Sequence, residues 1–368
     1  MRARFPVHRS AVALLALAAC AAGSARAGTR DWADDPASAR DPAYAASRAL
    51  CRKLVGVAPP AADAPTPAEA ASLADCSSEA LLFGIGVPAD PRAARLCAWV
   101  ETRTADPQVT DFGFTGDRTL MTVYADGLGV ARNLDVATAL ACRAGGAPAE
   151  VDARVRHLAR LRADGWTGTD FSLCDDAATG PMRGTCADHG QLVARSDRAR
   201  AFAALSARWS AADRAAFAPL KRAEAAFVDA RGQGEADPSG ADRETAAVRA
   251  EEGQERAFAA LLDDAEAGRV APAGAAEARS GEAALDAASR ALAARTPEPP
   301  RVAAGRPTRA PAVTPAGLAA GARAWARYRD AWLAFARVRF PALPADALSA
   351  RLARERAAQV ARIGTPGE

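Results

Sequence analysis

Apolar positions along this chain recur at three- and four-residue spacings, and the alternating pattern of a half-buried strand is nearly absent. Val and Ile are sparse, while Ala, Leu, Arg and Glu fill the long segments, a composition that favours helices. The pattern predicts an all-α protein. One helix is expected from Ser210, which forms a near capping box with Asp213, to a C′ stop at Gly232. Phe217, Leu220 and Phe227 keep its stripe, and Pro219 predicts a kink or a late start. A second, over about 241–267, carries Phe258, Leu261 and Leu262. A third begins with Thr314 at the N-cap and Pro315 at N1, and ends near Phe340, before Pro341. Trp325, Trp332 and Phe335 share its buried stripe, with Arg329 among them. Two Pro-rich stretches, 55–70 and about 295–314, read as a loop and an exposed insertion.

An internal repeat organises the first half. Phe83-Gly84-Ile85-Gly86-Val87-Pro88-Ala89-Asp90, then Ala94, recurs as Ala125-Asp126-Gly127-Leu128-Gly129-Val130-Ala131-Arg132-Asn133, then Ala137, with 43 residues from Val87 to Val130. Each copy places a Gly-x-Gly turn ahead of an Asp or Asn suited to cap a helix. Neither the Rossmann nor the Walker spacing is completed, so a phosphate loop at Gly84 is not supported. Over about residues 75–146 the repeat resembles the Sel-like family, tetratricopeptide-type helix pairs that stack into solenoids. The resemblance implies a protein-binding face.

The N-terminus changes the picture. Arg2, Arg4 and Arg9 precede an uncharged run from Ala11 to Ala19, the layout of a secretory signal, too short to span a bilayer. Leu17-Ala18-Ala19-Cys20 resembles the lipobox of bacterial lipoproteins, which implies lipidation of Cys20 and, with Ala21 following, the outer membrane. Ala25-Arg26-Ala27 offers a competing cut after residue 27 that would release the protein into the periplasm. Either cut takes Cys20 out of the thiol pool and leaves six cysteines, read as three disulfides in an oxidising compartment. Local spacing favours Cys51–Cys76, Cys97–Cys142 and Cys174–Cys186. The expected organisation is a signal at 1–19, a polar tether at 20–45, a helical repeat domain at 46–165, and a disulfide-containing helical bundle at 166–363.

Charge says little about partners. Lipoprotein cleavage would leave 44 basic and 44 acidic residues, the basic ones nearly all Arg, since only Lys53 and Lys221 are Lys. No basic stripe marks a nucleic-acid surface, and the membrane is reached only through an N-terminal lipid. Cys174, Cys186 and His189 with neighbouring aspartates lack a C-x-x-C pair, so a bridge is favoured over a metal. Glu235 and Asp237 lie in a polar turn where charges are usually solvated. Arg329 on an apolar stripe requires a partner, and Glu224 or Glu282 on a facing helix is expected to supply it.

Three further segments carry a second resemblance: the Cys174–Cys186 opening, Glu282-Ala-Ala-Leu285-Asp286-Ala-Ala-Ser289-Arg-Ala-Leu292, and Ala324-Trp325-Ala-Arg327-Tyr328-Arg329-Asp330-Ala331-Trp332. With the tail from Leu348 to Val360, residues 170–363 resemble the lysozyme-inhibitor LprI-like family of exported bacterial domains. Glu282, Asp286 and Ser289 stand where the family usually has Asp, Asn and Tyr. Leu333 stands where many members carry a cysteine bridged to another ahead of the final helix. The resemblance implies a non-enzymatic envelope protein that binds a protein partner, with a lysozyme-type muramidase as the suggested target. Trp325, Tyr328 and Trp332 are candidate partner contacts. A structural adaptor working through the repeat face is the alternative, and a peptidoglycan-acting enzyme a remoter one. No cofactor is expected.

Overall fold

Local capping chemistry sets where the helices begin and end. The computed structural model describes residues 31–36, 38–104, 113–237, 243–296 and 313–364. Cys20, both candidate cleavage sites and most of the Pro-rich insertion fall outside them. Thirteen α-helices and no strand occur among the described residues. The first seven are α1 (Ala45–Leu54), α2 (Pro67–Ser72), α3 (Ser78–Phe83), α4 (Pro91–Thr104), α5 (Asp117–Asp126), α6 (Leu134–Arg143) and α7 (Pro148–Ala163). Six longer helices follow: α8 (Gly180–Ser206), α9 (Ala211–Gly234), α10 (Arg243–Glu266), α11 (Ala275–Arg295), α12 (Pro315–Arg339) and α13 (Ala345–Arg362). Ser210 and Asp213 complete a reciprocal capping box at the start of α9, and Thr314 accepts from Gly317 N at the start of α12. Pro219 lies inside α9 without ending it, and the helix runs past Gly232 to Gly234.

The 43-residue repeat is one turn built twice. Gly84 and Gly86, like Gly127 and Gly129, all have φ near +70°, a conformation only glycine adopts without strain. Ile85 N donates to Ala80 O and Leu128 N to Val123 O, at 2.9 and 3.0 Å. Asp90 N then donates back to Leu81 O, and Asn133 N to Tyr124 O. Both side chains cap the next helix, Asp90 receiving Ala93 N and Asn133 receiving Val136 N. The helices before and after each turn form the packed pairs α3/α4 and α5/α6.

Two apolar cores result. The first gathers Trp32, Leu120, Tyr124, Leu140, Val155 and Leu158. It also takes Phe171, Leu173 and Met182, so the strap after α7 and the first turn of α8 belong to the repeat unit, beyond the expected boundary at 166. The second core is aromatic, with Trp209, Phe227, Phe258, Tyr328, Trp332 and Phe335. Helix α8 spans the junction, with Met182 in the first core and Phe202 and Leu205 against the second. The expected tether needs correction over its described part. Three short 3-10 turns, Trp32–Asp34, Ser38–Arg40 and Pro42–Tyr44, close the first core, where Trp32 packs edge-on against Tyr44 and donates to Ser47 Oγ at 2.9 Å.

Small residues let the long helices approach closely. Gly317 of α12 meets the backbone of Gly234 at the end of α9, where an added Cβ would lie 3.0 Å away. Gly281 of α11 faces Ala353 and the Ala350 carbonyl of α13. The pairs α9/α12 and α11/α13 make the most extensive interhelical contacts among the described residues.

Candidate functional site

Pairing of the cysteines follows the neighbours each helix acquires. Cys51 joins Cys142, Cys76 joins Cys97, and Cys174 joins Cys186. The expected Cys51–Cys76 and Cys97–Cys142 bridges are not formed. Helix α5 packs between α4 and α6, keeping the two second helices of the repeat apart, while α1 lies directly against α6. Cys76 precedes α3, whose partner in the helix pair is α4, the carrier of Cys97. Three disulfides suit an oxidising environment. Among the described residues no helix is long and apolar enough to cross a membrane.

The aromatic residues expected to meet a partner are core. Trp325, Tyr328 and Trp332 are only 8, 3 and 0% exposed. Burial raises the Tyr328 phenol far above its ordinary range. Arg329 does not reach Glu224 or Glu282. It sits one residue round the helix from the buried stripe, bonds to Asp330 at 2.9 Å, and lies over the Trp325 ring at 5.3 Å. Glu224 instead accepts from Lys221 at 2.9 Å, and Glu282 is exposed.

A buried ion pair exists elsewhere. Arg356 of α13 grips both oxygens of Glu235, and Arg231 Nε adds a third contact at 3.3 Å. The paired side chains of Arg356 and Glu235 are 4 and 1% exposed. Glu235, expected to be solvated, is drawn inward because α9 ends against the glycine face of α12 and the carboxylate fits beneath Gly321. Gln359 donates to Gln254 at 2.9 Å beside it. The sequence signal was present in the helical repeat of Arg351 and Arg356, but the partner lies 121 residues away.

One face of the repeat unit is occupied by the chain itself. His189 of α8 stacks on Phe114, with centroids 3.7 Å apart, and its Nδ1 lies 2.6 Å from Glu79 Oε1 on α3. Ser196 Oγ accepts from Gly86 N and donates to Gly84 O, which also receives Arg200. The first Gly-x-Gly turn thus takes a protein helix. In the second, Gly129 approaches Pro91 and Arg92 at the start of α4. Asp126 fixes the strap after α7 by accepting from Phe171 N at 3.1 Å, and burial pushes its carboxyl up to about 6. No group of three side chains suited to hold a metal occurs among the described residues.

An open feature of the second core is a cleft of about 480 Å³ where α8, α10 and α12 end. Trp209 borders it, 5% exposed and held edge-on by Phe217. The Arg339 guanidinium covers the indole at 5.4 Å, while its Nε and Nη2 bond the two oxygens of Glu266. Arg214 holds the Trp209 carbonyl, so the floor is fixed on several sides. The indole N–H is buried and without an acceptor among the described residues. Arg208 and Asp263, exposed on the rim, have no side-chain partner among the described residues. Trp209 lies between two helices, outside any apolar helical stripe. Its one local signal is its place immediately before the Ser210 N-cap. No family model matches this chain, and no curated protein or solved structure is significantly similar to it.

Proposed function

We propose that this chain is a non-enzymatic binding module of the bacterial cell envelope, exported and either anchored through Cys20 or released after residue 27. In this reading the disulfide-bonded repeat unit is the frame and the helical bundle engages a protein partner. The observation that carries the reading is the cleft beside Trp209: a fixed floor of paired charges with an uncommitted Arg208 and Asp263 on its rim. Ionic groups at such a rim set orientation and partner choice more than raw affinity.

The resemblance to LprI-like domains names a lysozyme-type muramidase as the first partner to try. Leu333, Phe340 and Leu343 line a small apolar cleft between α12 and α13, the junction that many members of that family close with a disulfide. Packing of these residues against the second core supplies an alternative means of holding the last helix.

Two measurements test the proposal with the purified mature protein. Lysis of cell-wall suspensions by lysozyme is expected to slow at micromolar concentrations, and unimpeded lysis would remove lysozyme as the target. In solubilised envelopes the protein is expected to retain a partner that the Arg208→Ala/Asp263→Asn variant loses. Failure to retain any partner would overturn the binding reading.

A further inference from the structure

The chemistry of the cleft narrows the partner. Its uncommitted donor among the described residues is the Arg208 guanidinium, and its uncommitted acceptor is the Asp263 carboxylate. Leu205 and Ala267 supply apolar wall. A guanidinium favours a planar carboxylate, which it can bond through two N–H groups at once. A carboxylate beside it suits a ligand that also brings an N–H and disfavours a second negative charge. A phosphate dianion would face both Asp263 and Glu266. A sugar would need an open aromatic face, and the Trp209 ring has none, lying beneath Arg339 and against Phe217.

Resting on the binding reading above, we infer that the cleft takes the free carboxyl end of a partner chain with small apolar terminal residues. The terminal carboxylate pairs with Arg208 and a main-chain N–H donates to Asp263. Small side chains lie on Leu205 and Ala267. The volume of about 480 Å³ falls within the size range of small-ligand sites. Capture of a chain terminus by charge and backbone groups is a recurrent mode of peptide recognition.

The test is calorimetric titration of the mature protein with tri-alanine and with its C-terminal amide. The free acid is expected to bind, and amidation or Arg208→Ala to weaken binding by about tenfold or more. Asp263→Asn is expected to weaken it severalfold. Both residues are exposed and unpaired, so unchanged thermal melting is expected to show that the variants fold. Equal affinity for acid and amide, no heat from either at about 10 mM peptide, or indifference to Arg208→Ala would each overturn the inference. If an envelope partner is retained through Arg208 while tri-alanine gives no heat, the terminus is excluded and the binding reading stands. If no partner is retained, the broader reading fails on its own measurement.

Discussion

Glu235 is the residue on which the helical bundle turns. It lies between Arg356 and Arg231 in a site from which water is excluded, and burial lowers the Arg231 pKa despite its carboxylate partner. Removing the carboxylate strands two buried cations, so Glu235→Ala is expected to cost about 3–5 kcal/mol in urea unfolding. Arg329→Ala is expected to change stability by less than about 0.5 kcal/mol, because its ion pair with Asp330 is solvated. Asp126 gives a pH signature of the opposite kind. Its carboxyl is lifted from 3.8 to about 6, chiefly by burial, so between these values the folded chain holds more protons than the unfolded one. The contribution of this group to stability is present below the lower value and is lost as pH rises through the upper one. Melting temperatures of wild type and Asp126→Asn measured across that window are expected to diverge in this sense. Parallel curves would show that Asp126 does not titrate there.

At the scale of the elements, glycine acts in two ways that only context separates. Gly321 of α12 lies over Glu235, and a Cβ there would overlap the Glu235 Oε1 atom. Gly321→Ala is therefore expected to destabilise by about 1–3 kcal/mol through displacement of the buried ion pair. Gly190 in α8 and Gly253 in α10 have nothing within 4 Å of the corresponding position. Alanine there is expected to stabilise by about 0.5–1 kcal/mol, through helix propensity alone. Chemical denaturation of the three variants checks both signs. Helix limits and turns were legible because their causes lie within a few residues. Ser210 with Asp213, Thr314 with Pro315, and the paired Gly-x-Gly turns with Asp90 and Asn133 all act locally. Pro219 does not delay the start of α9 at Ala211, because it sits within the third turn of a helix that packing against α12 sustains.

For the whole molecule, the decisive members are α8 and the disulfides. Helix α8 gives its first turn to one core and its last turns to the other, with His189, Ser196 and Arg200 fixing it to the repeat unit. Cys51–Cys142 closes a separation of 91 residues, and Cys174–Cys186 one of 12. In the chain-entropy account, loss of the longer tie costs about 4–5 kcal/mol and of the shorter about 3 kcal/mol. Cys51→Ala/Cys142→Ala is thus expected to lower the melting temperature more than Cys174→Ala/Cys186→Ala. Peptide mapping without reduction is expected to recover the 51–142, 76–97 and 174–186 pairs, and a 97–142 peptide would contradict this architecture.

The sequence by itself determined the helical class, the positions of caps and turns, the internal repeat and the use of cysteine in pairs. Each of these follows from backbone conformation and short-range hydrogen bonding, which neighbouring residues dictate. Tertiary structure alone decided which cysteines meet, that Arg356 rather than Arg329 is the buried cation, that Tyr328 joins Trp325 and Trp332 in the core, and that Trp209 borders the open cleft. Those outcomes depend on which helices become neighbours. In a chain so rich in alanine and glycine, that choice is made by close approach at a few small residues, whose spacing permits several helix pairings until the whole chain has packed.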